Sequence, residues 1–180
     1  MITEYYREQN RLLHEDKNIK YGYKGFQQAE RVFLAKHEYC CRSVLDYGAG
    51  KRTLDKALRS LYGLRIKNYD PAIPGLDSLP RPADMVVCCD VMEHVEPQYV
   101  GQVILHLHSL TKKVLFLRVC TVPCTSKTLP DGTDPHRTIW TDLQWESAFQ
   151  TKFDIVNRLE DEPNYFTWLL KPHRKSKPSP

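Results

Sequence analysis

The sequence contains no apolar run of the roughly 18 residues that a helix needs to cross a bilayer. Its first residues, MITEYYREQNRLLHEDK, are polar and charged where a secretory signal would carry an apolar segment. We therefore expect a soluble, cytoplasmic protein with no membrane partner. At 180 residues, 41% of them hydrophobic, the chain is about one domain long and apolar enough to bury a core.

The cysteines lack the spacing of a common disulfide framework or of a zinc ribbon. They form two adjacent pairs and two later singles: Cys40, Cys41, Cys88, Cys89, Cys120 and Cys124. Free thiols that are mostly buried are therefore expected.

The sequence has little excess of either charge. Its formal net charge is +4, and much of that comes from the proline-rich end, KPHRKSKPSP. We predict a single domain over residues 1–172 and a disordered basic tail over 173–180. Because the remaining body is close to neutral, broad nonspecific binding to nucleic acid is not favoured.

Apolar runs of strand length alternate with segments of helical period, which is typical of βαβ units and a parallel sheet covered on both faces. The predicted helices are 26–39, 54–62, one opened by Pro97, and 142–150 with Thr141 as N-cap. The predicted parallel strands are 43–48, 65–70, 85–90 and 113–120. A polar loop over 121–138 and an antiparallel hairpin, 153–161 with 164–172, complete the prediction.

The stretch SVLDYGAGKRT, at 43–53, predicts a strand followed by a ligand-binding turn. Gly48 and Gly50 let the backbone approach a ligand closely, because glycine has no side chain to block it. Asp70 follows Gly50 by twenty residues, at the end of the second strand, where a carboxylate can accept hydrogen bonds from a ribose. Together these features indicate an adenosine-type ligand, the alternative being a tight turn with Asp70 capping a loop.

A dinucleotide-binding turn would carry a third glycine where this sequence has Thr53. That glycine permits close helix–strand packing beneath a bound pyrophosphate. A ligand without a pyrophosphate therefore fits better, although an NAD-dependent oxidoreductase remains an alternative.

Three segments in order, VLDYGAG, the acid of NYDP, and PADMVVCCDVMEHVEP, resemble the class I S-adenosylmethionine-dependent methyltransferases. The resemblance covers roughly residues 40–172. It implies an α/β fold, a Rossmann-like three-layer sandwich whose mostly parallel sheet ends in a C-terminal antiparallel hairpin. The segments DPAIP and SKTLPDG add a narrower likeness to small methyltransferase-like proteins of phages.

Two features of the sequence depart from the family pattern, one residue and one spacing. Family members often have glycine where this sequence has Arg52, which leaves the backbone path into the following helix open. Only fourteen residues separate Asp70 from Asp84, where the family commonly fits a helix and a third strand. We therefore predict that strand three is shortened or missing, and that its loss at a sheet edge leaves the ligand site intact.

The resemblance implies S-adenosylmethionine as the cofactor and S-adenosylhomocysteine as the product. In this family Gly48 and Gly50 would pass beside the methionine part, Asp46 would orient the loop, and Asp70 would hold the ribose. The cofactor-binding residues that we predict are Asp46, Tyr47, Gly48, Ala49, Gly50, Asp70, Pro71, Asp90 and Val91. Leu76, Asp77 or Met92 are further candidates for contact with the adenine.

The catalytic residues that we predict are Glu93, His94 and His136, because DVMEH and the loop after strand 113–120 fall at the carboxyl end of the sheet. His14 and Asp131 are weaker candidates for the base. An alternative is that Asp90, Glu93, His94 and His136 bind magnesium or manganese, as in O-methyltransferases acting on quinol rings or RNA 3′ ends. Metal-independent members also carry Glu-His here, and we do not favour the metal.

The sequence gives little information about the methyl acceptor. Residues 1–25 predict a lid or substrate segment rich in aromatic and histidine side chains: Tyr5, Tyr6, His14, Tyr21 and Tyr23. The loop 126–136 could contact substrate, with Lys127 meeting a phosphate or simply solvated.

We expect a methyltransferase acting on an oxygen or nitrogen of a small molecule, sugar or nucleotide. The Asn-Pro-Pro-Tyr type motif of amino-methylating DNA enzymes is absent after VVCCD, as is the Pro-Cys loop of cytosine-C5 enzymes. A metal-dependent 2′-O-methyltransferase on RNA ends and a non-catalytic protein that binds S-adenosylmethionine remain alternatives. The oligomeric state is not predicted.

Overall fold

The computed structural model describes residues 2–16 and 21–174. Its helices are α1 (Glu4–Glu15), α2 (Ala29–Glu38), α3 (Thr53–Tyr62), α4 (Val100–Leu110) and α5 (Asp142–Phe149). Its strands are β1 (Val44–Tyr47), β2 (Lys67–Tyr69), β3 (Ala83–Cys89), β4 (Thr111–Cys120), β5 (Phe153–Leu159) and β6 (Tyr165–Pro172). Short 3-10 helices cover Lys24–Gln28, Met92–His94 and Pro97–Tyr99. The predicted strands and helices are confirmed to within a few residues at their ends, except that the start of the helix predicted over 26–39 is the 3-10 helix Lys24–Gln28. Helix α1 was not predicted.

The strands form a single sheet in the order β2-β1-β3-β4-β6-β5. The first four strands of that order are parallel. Strand β6 pairs antiparallel with both β4 and β5. The predicted fold class, a mostly parallel sheet with a C-terminal antiparallel hairpin, is therefore confirmed.

Central strands β3 and β4 are apolar on both faces because helices cover both faces of the sheet. On one face, Val86 and Leu115 pack in a cluster with residues of α4 and α5. On the other, Met85 and Phe116 pack in a cluster with residues of α2 and α3. The result is the predicted three-layer sandwich.

The connection between β2 and β3, residues 70–82, contains turns and neither a helix nor a strand. The prediction that strand three is missing is thus confirmed, and β2 becomes the edge of the sheet. Its neighbour β1 still lies between β2 and β3, so the carboxyl ends of these three strands still meet.

Helix α5 begins as predicted at Thr141. The Thr141 hydroxyl accepts the backbone N–H of Gln144, and the Gln144 side chain accepts the backbone N–H of Thr141, which completes a capping box.

The predicted single domain stays a prediction. Of the predicted tail 173–180, the backbone N–H of His173 donates to the carbonyl of Lys152 at 2.8 Å, and 175–180 lie outside the described residues. Within residues 2–16 and 21–174, no helix is long and apolar enough to cross a membrane. The six cysteines are free thiols, and Cys41, Cys88 and Cys120 are buried.

Candidate functional site

A cavity of about 370 Å³ opens at the carboxyl ends of the parallel strands. Such a volume lies within the range of small-molecule sites. The cavity wall contains every residue predicted for cofactor binding and catalysis: Asp46, Tyr47, Gly48, Ala49, Gly50, Asp70, Pro71, Asp90, Val91, Glu93, His94 and His136. The fold thus brings four separate sequence segments to one place.

The turn after β1 requires glycine at position 48. Gly48 has φ +80°, and a Cβ there would lie 2.3 Å from Cγ2 of Val91. The backbone N–H groups of Gly48 and Ala49 both donate to the carbonyl of Tyr69, at 2.8 and 3.0 Å. The turn is therefore held against the end of β2.

Asp70 also stabilises this turn, through hydrogen bonds that its carboxylate accepts. One carboxylate oxygen accepts the N–H of Gly50 and the other accepts the N–H of Ala72, both at 3.0 Å. A carboxylate has about four lone-pair sites, so Asp70 can accept further hydrogen bonds from a ligand. It lines the cavity and is buried.

Asp46, on β1, also faces the cavity. Burial, together with the neighbouring Asp70 and then Asp55, raises the pKa of Asp46 to about 7. A cationic ligand in this part of the cavity would favour the charged carboxylate, because opposite charges attract strongly away from water.

Asp90 follows β3 in the left-handed region, with φ +55°. Burial raises its pKa, against the effect of Arg118, whose Nη1 donates to Asp90 at 2.6 Å. The buried Arg118 guanidinium also donates to Asp161 at 3.0 Å and stacks 3.8 Å from the centre of the Tyr165 ring. Asp90 is therefore held by an ion pair, and the structure does not bring it into the predicted metal set.

Glu93 lies in the short helix Met92–His94 and is 1% exposed. Its Oε1 accepts the N–H of Cys120 at 3.2 Å, while Oε2 is buried without a hydrogen-bond partner among the described residues. Burial and then the charge of Asp90 raise the pKa of Glu93 to about 8.

His94 and His136 are fixed by backbone carbonyls. Nδ1 of His94 lies 2.9 Å from the carbonyl oxygen of Pro135, and Nδ1 of His136 lies 2.7 Å from that of Val122. The two rings are nearly perpendicular, with centroids 4.8 Å apart. Burial, and then the proximity of His136, lowers the pKa of His94 to about 3.

We call Glu93, His94 and His136 the EHH cluster. One oxygen or nitrogen from each of the three side chains lies within 4.8 Å of the others. Loop 121–138 supplies His136 and is tied to the cluster by its own backbone, because Arg137 and Thr138 donate N–H groups to the Glu93 carbonyl at 2.7 and 3.0 Å.

The N-terminal residues cover the cavity. Tyr6 of α1 donates its hydroxyl to the carbonyl of Pro135 at 2.6 Å, and Arg7 donates Nε to the carbonyl of Pro71 at 3.0 Å. The backbone N–H of Thr3 donates to Glu96 at 2.8 Å. Helix α1 and its N-cap thus connect loop 121–138 and Glu96 to the end of β2.

The segment after α1 lies directly on the glycine turn. The N–H of Lys51 donates to the carbonyl of Gly22 at 3.3 Å, and a Cβ on Gly50 would lie 3.2 Å from Cα of Gly22. The Thr53 hydroxyl donates to the carbonyl of Tyr23 at 2.9 Å. The position of the missing third glycine is therefore used to attach the N-terminal segment.

Arg52, the other departure from the family pattern, has φ +56° and directly precedes α3. This left-handed conformation favours glycine, which explains why glycine is frequent there. Arg52 does not line the cavity.

Five of the weaker candidates from the sequence line the cavity: Tyr6, His14, Tyr21, Tyr23 and Lys127.

The remaining candidates lie elsewhere. Met92 is fully buried in the core, and Asp131 accepts the Tyr5 hydroxyl at 2.8 Å outside the cavity. Leu76 and Asp77 also lie outside the wall, where the Leu76 carbonyl accepts the N–H of Asp70.

Sequence reasoning missed several wall residues, among them Asn10, Lys24 and Tyr165. Lys24 donates Nζ to the Tyr165 hydroxyl at 2.8 Å. The Tyr21 hydroxyl donates to Asn10 at 3.0 Å. A helical reading of residues 4–15, with Thr3 as its N-cap, would have pointed to Asn10, since Tyr6, Asn10 and Leu13 share one face.

No family model and no curated protein sequence matches this chain. Solved structures do match it, and they show that the chain has the class I S-adenosylmethionine-dependent methyltransferase fold. The likeness to phage proteins stays a prediction.

Three of the matching structures are methyltransferases crystallised with S-adenosylmethionine or S-adenosylhomocysteine. 1,6-Didemethyltoxoflavin-N1-methyltransferase of Burkholderia thailandensis, with 1,6-didemethyltoxoflavin and S-adenosylhomocysteine bound, is 14% identical, with a TM-score of 0.69 over 97% of this chain and 92% of that one. Magnesium protoporphyrin IX methyltransferase of Synechocystis PCC 6803, with S-adenosylhomocysteine, is 15% identical, with a TM-score of 0.59 over 94% and 95%. Human N-acetylserotonin methyltransferase, with S-adenosylmethionine, is 13% identical, with a TM-score of 0.60 over 82% of this chain and 52% of that one.

Proposed function

We propose that this protein is an S-adenosylmethionine-dependent methyltransferase that acts on a small molecule. The observation that carries the proposal is the single cavity that holds both the glycine turn with Asp46 and Asp70 and the EHH cluster. One part of the cavity suits the methyl donor and the other suits a polar acceptor.

The residues of the donor part fit S-adenosylmethionine by shape and by charge. The absence of a side chain at Gly48 and Gly50 lets the turn pack closely against Val91 and Gly22 in the cavity wall, which gives the donor part its shape. Asp46 and Asp70 are acids in the same wall, which suits the positive sulfonium and ammonium groups of this cofactor. When bound, S-adenosylmethionine supplies a methyl group that its sulfonium has already activated.

The chain's own task is then to place the acceptor and to manage its proton. A carbonyl oxygen only accepts hydrogen bonds, so Nδ1 of His94 and of His136 carries the proton and Nε2 keeps its lone pair. These lone pairs can accept a proton or a hydrogen bond from an acceptor hydroxyl. The low pKa of His94 favours a hydrogen-bonding role for it, and we assign the role of base to His136.

The cover formed by the N-terminal residues supports a small acceptor. Tyr6 and Tyr21 lie over the EHH cluster, and the Tyr21 hydroxyl is 3.3 Å from Nδ1 of His94. The ring of Tyr21 lies edge-on to that of His94, with centroids 5.7 Å apart, which suits a small acceptor better than a polymer. The structural neighbours named above carry small acceptors in their names: 1,6-didemethyltoxoflavin, magnesium protoporphyrin IX and N-acetylserotonin.

The oxidoreductase alternative is disfavoured by the start of α3. A dinucleotide would place its pyrophosphate at this helix N-terminus. Here the Thr53 hydroxyl bonds the Tyr23 carbonyl, and Gly25 packs against Thr53 and Leu54. The N-terminal segment occupies the space that a pyrophosphate would need.

The proposal is tested by methyl transfer from S-adenosylmethionine labelled in its methyl group. The acceptors are a panel of small hydroxyl- and amine-bearing metabolites and, separately, single-stranded RNA oligonucleotides. We expect label in the small-molecule panel. We expect Asp70→Asn to reduce transfer by roughly tenfold or more, because a buried charged acceptor is lost.

The outcomes separate the alternatives. Label found only in RNA would contradict a small acceptor and favour the RNA-end enzyme. No label from any acceptor, with S-adenosylhomocysteine bound normally, would favour a non-catalytic binding protein.

A further inference from the structure

We propose that the EHH cluster, Glu93, His94 and His136, is a binding site for a divalent transition-metal ion. The proposal rests on the proposed function and deepens it: the ion would lie at the acceptor end of the cavity, where it would take the Nε2 lone pairs of His94 and His136 in place of their direct contact with the acceptor hydroxyl. Binding of the ion itself can be measured without any methyl transfer.

The orientation of both imidazoles is the first argument. Each Nδ1–H donates to a backbone carbonyl, that of Pro135 for His94 and that of Val122 for His136. Metal-bound histidines are commonly held in this way, because the bond fixes the tautomer and turns the other nitrogen toward the ion. Two histidines with Nε2 unprotonated and close together are thus ready to act as ligands.

Glu93 provides the second, independent argument. Its side chain is almost completely buried, yet Oε2 has no hydrogen-bond partner among the described residues. A buried polar atom without a partner costs roughly 1 to 3 kcal/mol, so an unmatched carboxylate oxygen here calls for an explanation. A bound cation would supply the missing partner.

The spacing of the three ligand atoms is compatible with one ion. They lie within 4.8 Å of one another. Ligands bound at about 2.1 Å to a common ion lie at most about 4.2 Å apart. Small side-chain rotations would bring the three atoms into the first coordination sphere.

The donor set selects the class of ion. Two imidazoles and one carboxylate suit manganese, iron, cobalt or zinc, whereas magnesium prefers oxygen ligands. Asp90 is not part of the cluster whose ligand atoms lie close together, and its Oδ1 pairs with Arg118 at 2.6 Å. We therefore assign three protein ligands and a preference over magnesium, with the remaining coordination positions left for an acceptor oxygen or water.

The test is a direct titration of the full chain, freed of metal by a chelator and of any histidine tag. Cobalt(II) is followed by its visible absorption, and manganese(II) and magnesium(II) are followed by calorimetry. We expect one cobalt or manganese ion per chain, and magnesium binding at least about tenfold weaker. We expect His136→Ala and Glu93→Gln each to weaken cobalt binding about tenfold or more.

His37→Ala is the matched control, since His37 is an exposed histidine on α2 far from the cluster in sequence, and we expect it to bind cobalt normally. Thermal melts of all variants report whether they are folded. No cobalt or manganese binding, binding unchanged in folded His136→Ala and Glu93→Gln, or magnesium binding as tight as manganese would overturn the assignment. Normal binding of S-adenosylhomocysteine to the metal-free chain keeps such a failure distinct from a failure of the proposed function.

Discussion

At the scale of single residues, the neighbouring acids Asp46 and Asp70 affect the stability of the protein and its affinity for a ligand in opposite ways. Both are buried, and their mutual repulsion helps to raise the pKa of Asp46 to about 7. Such a pair is costly in the free protein and favourable to a cationic ligand. Stability and donor binding should therefore respond to Asp46 in opposite directions.

We predict that Asp46→Asn stabilises the ligand-free chain at pH 8. The folded pKa of Asp46 lies above its ordinary value of 3.8, so its contribution to stability is fully present below about pH 4 and is lost as the pH rises through about 7. An amide stays neutral throughout. Denaturant melts at pH 8 should show a gain on the order of 1 to 3 kcal/mol.

The same variant should bind S-adenosylmethionine more weakly at pH 8, because the attraction to the positive cofactor is removed. At pH 5 the folded wild-type Asp46 is neutral, so the two proteins should differ little in cofactor binding, and the gain in stability should be smaller than at pH 8. A variant that is less stable than wild type at pH 8 would contradict the assigned electrostatics.

The sequence indicated the residues of the site better than it indicated their pairing. DYGAG, Asp70 and DVMEH were recognisable because chemistry and spacing are local. The ion pair of Asp90 was not, because Arg118 stands inside an apolar strand and meets Asp90 only across the β3–β4 pair. Partners that come from distant segments leave no mark on local sequence patterns.

At the scale of elements, α1 is the component that joins the two ends of the cavity. Its Tyr6 and Leu13 pack with Leu129 of loop 121–138 in a small satellite cluster. Its side chains also bond Pro71 and Pro135, on either side of the cavity. An element held by few apolar contacts opens at lower free energy than the central sheet does.

We predict that S-adenosylhomocysteine slows amide hydrogen exchange in α1. A ligand lying between the glycine turn and the segment at Gly22 stabilises the covered state and so reduces opening. Mass spectrometry should show added protection in residues 4–15. Helix α5, on the far side of the β4–β6 pair, should show no comparable change.

Exchange in α1 that is unchanged at saturating S-adenosylhomocysteine would contradict the role of this helix as a cover.

Helix α1 was missed because its apolar residues are few. Its stability comes instead from the Thr3 cap and from ion pairs of Arg11 with Glu8 and Glu15, at 2.6 and 2.5 Å. By contrast, α5 was predicted to its first residue from Thr141 as its N-cap, and the structure adds that Gln144 completes a capping box. An N-cap residue thus located the start of a helix, which the spacing of apolar residues alone did not.

At the scale of the whole molecule, the sheet contains the strands that form the site and lacks the edge strand that follows β2 in the family pattern. The fourteen-residue interval from Asp70 to Asp84 is too short for a helix and a strand, so this loss was predictable from chain length alone. Residues 70–82 instead form turns, within which the N–H of Asp70 bonds the Leu76 carbonyl at 2.9 Å. The shortened fold still places Asp70 beside Gly50.

The central claim is that the glycine turn binds S-adenosylmethionine and its product, and calorimetric titration with S-adenosylhomocysteine tests it most directly. The key variant is Gly48→Ala combined with Val91→Ala: removal of the Val91 methyl groups leaves space for the new Cβ, so the effect on binding comes from backbone strain in the turn at φ +80°. Val91→Ala alone and Gly63→Ala are the controls. Gly63 also has positive φ, +64°, but it ends α3 with nothing within 4 Å of an added Cβ.

We predict that wild type, Val91→Ala and Gly63→Ala bind S-adenosylhomocysteine, that the double variant binds at least about tenfold more weakly, and that NAD does not bind. Melting curves confirm that each variant is folded. Binding of NAD without S-adenosylhomocysteine, or full affinity for S-adenosylhomocysteine in the folded double variant, would contradict the central claim.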